Sequence, residues 1–145
     1  MTLYESNGLA RILLTIVTIG FSIVPIGADF NKTHATNPLW TPHARFHVVW
    51  QCLTALGIGI IGLVLLWNDF GFYLQQLYLV IGFAASAYGA FFITFFAMPL
   101  YGGRAYDDNG YLPIPIGRFS IDLNVTVFGT FVILLGIAAA TIKTA

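Results

Sequence analysis

An all-α, four-helix integral membrane bundle is the fold this sequence predicts, and three observations predict it. First, 58% of the 145 residues are hydrophobic and 8% are charged, with a mean hydropathy of +0.83. Ordinary soluble domains carry roughly 25% charged residues. A soluble fold this short has too high a surface-to-volume ratio to hide so much apolar surface, so a bilayer is its natural solvent. Second, four apolar runs approach or exceed the ~20 residues that a helix needs to cross hydrocarbon. They cover about 9–28, 42–67, 71–98 and 119–142, within a single domain of residues 1–145. Third, the few polar groups cluster. His34, His43 and His47, all the histidines of the chain, lie in the stretch from Asp29 to Gln51 together with Lys32 and Arg45.

Composition also excludes. A formal net charge of zero leaves no basic footprint for nucleic acid. One cysteine, Cys52, rules out an internal disulfide and a multi-cysteine metal site. The first apolar run holds one base near its start, Arg11, and ends in P-I-G-A-D. That fits a cleaved leader poorly, so the run is read as a retained helix.

In that first helix Arg11, Thr15, Thr18, Ser22, Pro25 and Asp29 recur at steps of three or four, the helical period. The stripe is expected to face the bundle, its hydroxyls bonding their own backbone carbonyls. It points Asp29 toward the histidines. Residues Asp29 to Thr41 read as an ordered loop, with turn chemistry at Asn37-Pro38. Thr41-Pro42 supplies an N-cap and a proline at the first helical position, placing His43, Arg45 and His47 in the first two turns of the second helix.

Deeper in that helix Ala55, Gly59 and Gly62 form a small-residue ridge, expected to meet Gly82, Ala85, Ser86 and Gly89 of the third. Trp67-Asn-Asp-Phe-Gly71 is a short link between antiparallel neighbours, and Pro99 is expected to close the third helix. The loop Tyr101–Arg118 then shares a side of the membrane with the first loop. Ser120 to Val127 alternates polar and apolar residues, a strand signature, but the apolar run beyond it favours helix. Lys32, Arg45, Arg104 and Arg118 on the histidine side would be cytoplasmic by the positive-inside rule. Arg45 and Arg118 read as site residues, however, so the orientation stays open.

The polar cluster is the candidate site. His43, His47, Asp29 and Asp122 are candidate acid–base residues, because imidazole exchanges protons near neutral pH and a carboxylate can orient it. Arg45, His34, Asn37, Trp40 and Gln51 are candidate substrate-binding residues, Arg45 and the positive end of its helix suiting an anionic group. His43 and His47, at i and i+4, could join His34 in holding a transition metal such as Zn, Cu or Fe. No metal is favoured, since Arg45 would repel the cation. Asp122 is expected to lie within reach of Arg45 or a histidine of the second helix, so that the second and fourth helices touch.

The expected partners are the lipid bilayer and a lipophilic small molecule or lipid, bound or converted by acid–base chemistry. The alternative is a non-catalytic accessory subunit of a larger membrane complex, with Asp29, Asn31, His34, Asn37 and Arg45 tying the two loops together.

The run D-F-N-K-T-H-A-T-N-P-L-W-T-P-H-A-R-F-H, from Asp29 to His47, resembles the signature of a group of small four-helix membrane proteins. Their pattern is D-[WF]-N-x-T-H-x-x-N-P-x-W-x-P-H-A-[RK]-F-H. The resemblance covers the first loop and the start of the second helix, and it implies the architecture without an activity. In architecture alone the chain is also similar to the four-helix sterol isomerase and sigma-2 receptor superfamily, with no motif shared.

Overall fold

A computed structural model describes residues 2–144. About 69% of the described residues are helical. The helices are α1 (Leu3–Ser6), α2 (Gly8–Ser22), α3 (Val24–Asp29), α4 (Pro42–Trp67), α5 (Tyr73–Tyr101) and α6 (Leu123–Ala140), with a short hairpin β1 (Ile114–Ile116) and β2 (Phe119–Ile121) before α6. Among the described residues four helical segments are long and apolar enough to cross a membrane: Gly8–Asp29, Pro42–Trp67, Tyr73–Tyr101 and Leu123–Ala140.

The first segment breaks at Ile23, between α2 and α3. Pro25 has no N–H to give the ladder. Ser22 Oγ donates to the Thr18 carbonyl at 2.6 Å, a back-bond that bends helices. Thr15 does the same to Arg11 at 2.8 Å, and Thr18 and Ser22 are buried. The polar stripe therefore faces the bundle, its hydroxyls bonded largely to their own helix.

Two boundaries differ from the sequence reading. Pro99 does not end α5, which runs on to Tyr101 and stops at Gly102, whose φ of 68° is the left-handed helix cap that glycine adopts freely. A proline in the last turn removes one ladder bond and leaves the others. The fourth helix begins at Leu123 and not at Phe119, because residues 119–121 pair with 114–116 in antiparallel register. Gly117, at φ 59°, and Arg118 make the two-residue turn. Glycine at the first turn position is the sequence of a type II′ hairpin. The alternation at Ser120–Val127 was thus a strand signal at its start, and the bundle is not purely helical.

α2 is the centre of the packing. It touches α4, α5 and α6, while α5 touches α4 and α6, which leaves α4 and α6 at opposite corners. The small-residue ridge of α4 serves α2 and not α5: a Cβ on Gly59 would overlap the Ser22 side chain, and one on Gly62 would press on Thr18. Gly82 and Gly89 of α5 face open space. Glycine on α4 lets two backbones approach closely, which strengthens the dispersion contact between them.

The buried core of Leu14, Val17, Leu66, Tyr73, Leu77, Val80, Ala84 and Tyr88 fills the half nearer the chain termini. There Asn7 and the Lys143 backbone exchange two hydrogen bonds, of 3.0 and 2.7 Å, closing the bundle end.

Candidate functional site

At the other end α4 starts as its sequence dictates. The Thr41 hydroxyl accepts from the Ala44 N–H at 3.2 Å, and Pro42 opens the first turn. This puts His43 and His47 one turn apart with their Nε2 atoms 3.0 Å from each other. One Nε2 must carry the proton and the other must accept it, so the pair shares one proton across a solvent- or lipid-facing contact. Phe46 and Trp50 flank it, with ring centroids 5.8 Å from His47 in each case.

Beside this pair lies a half-open crevice of about 710 Å³. Its walls come from all four segments: Phe21 and Pro25, then His47 to Ile58 of α4, then Phe83, Ser86, Ala87 and Ala90 of α5, and Phe128 of α6. The space exists because alanines and serine line this face of α5, whereas Leu77, Val80 and Tyr88, on its neighbouring face, are fully buried in the core. Gln51 and Thr54 add polar groups, and the lining includes no Lys, Arg, Asp or Glu.

Asp29 and His34 form a second cluster. Asp29 Oδ1 is 3.6 Å from His34 Nδ1. The Thr33 hydroxyl donates to Asn31 Oδ1 at 2.6 Å and lies 2.8 Å from His34 Nδ1. A hydroxyl has one proton, and the Asn31 carbonyl oxygen can only accept. His34 Nδ1 is therefore the protonated nitrogen, donating to Thr33. The other Asp29 oxygen, Oδ2, accepts from the Cys52 thiol at 3.8 Å, and Cys52 reaches the crevice wall. Cysteine and carboxylate meet across two helices, so no local spacing in the sequence could have announced Cys52.

The candidate site residues thus divide. His47 and Gln51 border the crevice and His43 backs His47; Asp29 and His34 stand together behind Cys52. Asn37 and Trp40 dock the two loops. Asn37 is fully buried and exchanges amide hydrogen bonds with Asn109 at 3.0 and 3.2 Å. The Trp40 indole donates to Asp107 at 3.2 Å. The Asn109 backbone N–H, and after it the Trp40 indole, hold the Asp107 carboxyl below the usual carboxylate range.

Arg45 and Asp122 do not meet. Among the described residues Arg45 has no ion pair. Asp122 caps α6 by accepting from the Val125 N–H at 3.0 Å, and it borders a separate hollow of about 350 Å³ with Phe95, Met98 and Arg104. The physical reason is the corner arrangement: α2 and α5 separate α4 from α6. Nor do the three histidines converge. Among the described residues no three His, Cys, Asp or Glu side chains come together in a metal-holding group.

No known protein family, curated protein or solved structure matches the chain.

Proposed function

We propose that the chain is a multi-pass integral membrane protein that binds a lipophilic small molecule in the crevice and acts on it by acid–base chemistry at the His43–His47 pair. The observation that carries this reading is the crevice itself, apolar in its depth and bordered by a proton-sharing imidazole. Its size lies within the 300–1,000 Å³ range of small-molecule sites. An uncharged lining suits a neutral ligand, because a carboxylate or phosphate buried there would lack a counter-charge. The aromatic rings of Phe21, Phe83, Phe128 and Trp50 offer flat apolar contact. With one further proton on the pair, one imidazole can give that proton to a ligand oxygen and return to its neutral form, its neighbour keeping the hydrogen bond between them.

The test is titration of an apolar environment-sensitive fluorophore into protein in neutral detergent. Stoichiometric binding is expected, lost in Ala87→Phe, which fills the crevice, and weakened in His47→Ala. A folded Ala87→Phe variant that binds as well as the parent defeats the reading.

A second reading, an accessory subunit of a membrane complex, is supported by the hairpin. Ile114, Ile116, Phe119 and Ile121 are all exposed, Phe119 to 67%, outside the four apolar segments. Such a surface favours a protein neighbour. A purified particle of a single chain in mild detergent, with the fluorophore bound, speaks against this second reading.

A further inference from the structure

The opposite end of the bundle holds a cation without a counter-charge. Arg11 lies in the first turn of α2, where its guanidinium carbon sits 3.8 Å from the Tyr4 ring centroid and 4.8 Å from that of Trp67. The box is locked in place: the Trp67 indole donates to Thr15 Oγ1 at 3.1 Å, and Thr15 in turn donates to the Arg11 carbonyl at 2.8 Å. Nε and Nη1 of Arg11 are buried with no hydrogen-bond partner. Nη2 is not among those enclosed atoms and is the nitrogen left to meet a ligand.

The acids of this end, Glu5 and Asp69, form no ion pair with Arg11. Glu5 accepts from the Thr2 N–H at 2.7 Å, and Asp69 accepts from the Gly71 N–H at 2.8 Å. Among the described residues the ion pairs are His34–Asp29 and Arg104–Asp108, neither of them here. The Tyr73 hydroxyl lies beside the guanidinium, but it is neutral and cannot balance the charge. Stacking on two aromatic faces stabilises a cation without neutralising it. Guanidinium cannot shed its proton, and a desolvated charge is costly unless an anion comes to it. A second base, Lys143, is exposed at the same end, its backbone clamped to Asn7 one helical turn before Arg11.

We infer that the Arg11 box is a phosphate-binding site, filled by the headgroup phosphate of an anionic phospholipid, with Lys143 as the second cation. The open Nη2 can donate a charge-assisted hydrogen bond to a phosphate oxygen, and the boundary of a bilayer presents that group. The inference is independent of the crevice: it concerns the other end of the molecule and holds whether or not a small molecule binds there.

Native mass spectrometry from neutral detergent tests it with three probes: phosphatidylglycerol, diacylglycerol and inorganic phosphate. One retained phosphatidylglycerol is expected, with diacylglycerol not retained, and binding weakened about tenfold or more in Arg11→Met, the scale of a lost charge-assisted hydrogen bond. Lys143→Gln should weaken it less. Retention of inorganic phosphate, with displacement of the lipid, would identify free phosphate as the natural source. Should Arg11→Met fail to fold, Arg11→Lys keeps the charge but loses the guanidinium stacked between Tyr4 and Trp67, and it should bind phosphatidylglycerol more weakly while folding. Equal retention of phosphatidylglycerol and diacylglycerol by the parent, or equal phosphatidylglycerol retention by parent, Arg11→Lys and Lys143→Gln, overturns the inference.

Discussion

The two ends of this bundle are built from the same four segments and reach opposite results. Toward the termini, large side chains of α5 such as Leu77, Val80 and Tyr88 are fully buried against α2, and the end is sealed by Asn7 and Lys143. Beside Tyr88, the neighbouring face of α5 carries Ser86, Ala87 and Ala90, and a crevice of about 710 Å³ opens against it toward the histidines. At that end loop contacts add to the helix packing, through Asn37–Asn109 and Trp40–Asp107. Side-chain volume on one helix decides where the molecule is solid and where it is open.

Tyr88 sits where the two regimes meet, so changing it should have the largest effect. Its ring stacks on Phe131 and meets Phe128 edge-on, and its hydroxyl donates to the Val17 carbonyl at 2.7 Å. Tyr88→Ala should cost about 3–5 kcal/mol, as large-to-small core changes do. Tyr88→Phe should cost about 1 kcal/mol, the net worth of one hydrogen bond. Unfolding in mixed micelles measures both, and a Tyr88→Ala loss under about 1 kcal/mol would mean the core ends short of this residue.

Glycines on the two faces should then part company. Gly59→Leu drives a side chain into Ser22 and should destabilise by about 1–3 kcal/mol, the usual cost of overpacking. Gly82→Leu points into open space and should stay within about 0.5 kcal/mol, as surface changes do. Equal losses at the two glycines would contradict the assignment of the α4 ridge to α2.

At the histidine end, Asn37→Ala leaves the Asn109 amide and the Thr33 carbonyl without partners. A loss of about 1–3 kcal/mol is expected, seen as faster hydrogen exchange in residues 101–122 with the terminal half unchanged. Uniformly faster exchange through the whole chain would show instead that the two ends unfold as one unit.

The smallest effect expected is that of pH on the loop contact. The Asp107 carboxyl titrates below its usual value because the ionised form accepts from the Asn109 backbone and the Trp40 indole. Its contribution is therefore complete above the unfolded carboxylate pKa and disappears as pH falls through the depressed folded value. Trp40→Phe combined with Asp107→Asn should remove this acid-range change in loop exchange. Its persistence in the double variant would assign it to another group, Asp29 foremost.

Much of the architecture follows from composition and period. Four apolar runs, the Thr41-Pro42 helix start and the inward polar stripe of the first segment depend on the chain's neighbours in sequence, which are visible in one dimension. The break at Ile23 was half visible, since Pro25 and Ser22 stand beside it, and the strand at Phe119–Ile121 was signalled by alternation that the longer apolar run outweighed. What only the tertiary structure decided is pairing across helices. Cys52 against Asp29, Gly59 against Ser22, and the separation of Arg45 from Asp122 depend on which helix takes which corner. Hydropathy is nearly uniform around α4, α5 and α6, and so it cannot choose between neighbours. Shape chooses instead: α2 is central because glycines admit it closely, and shape is a property of surfaces meeting, which no single run of residues contains.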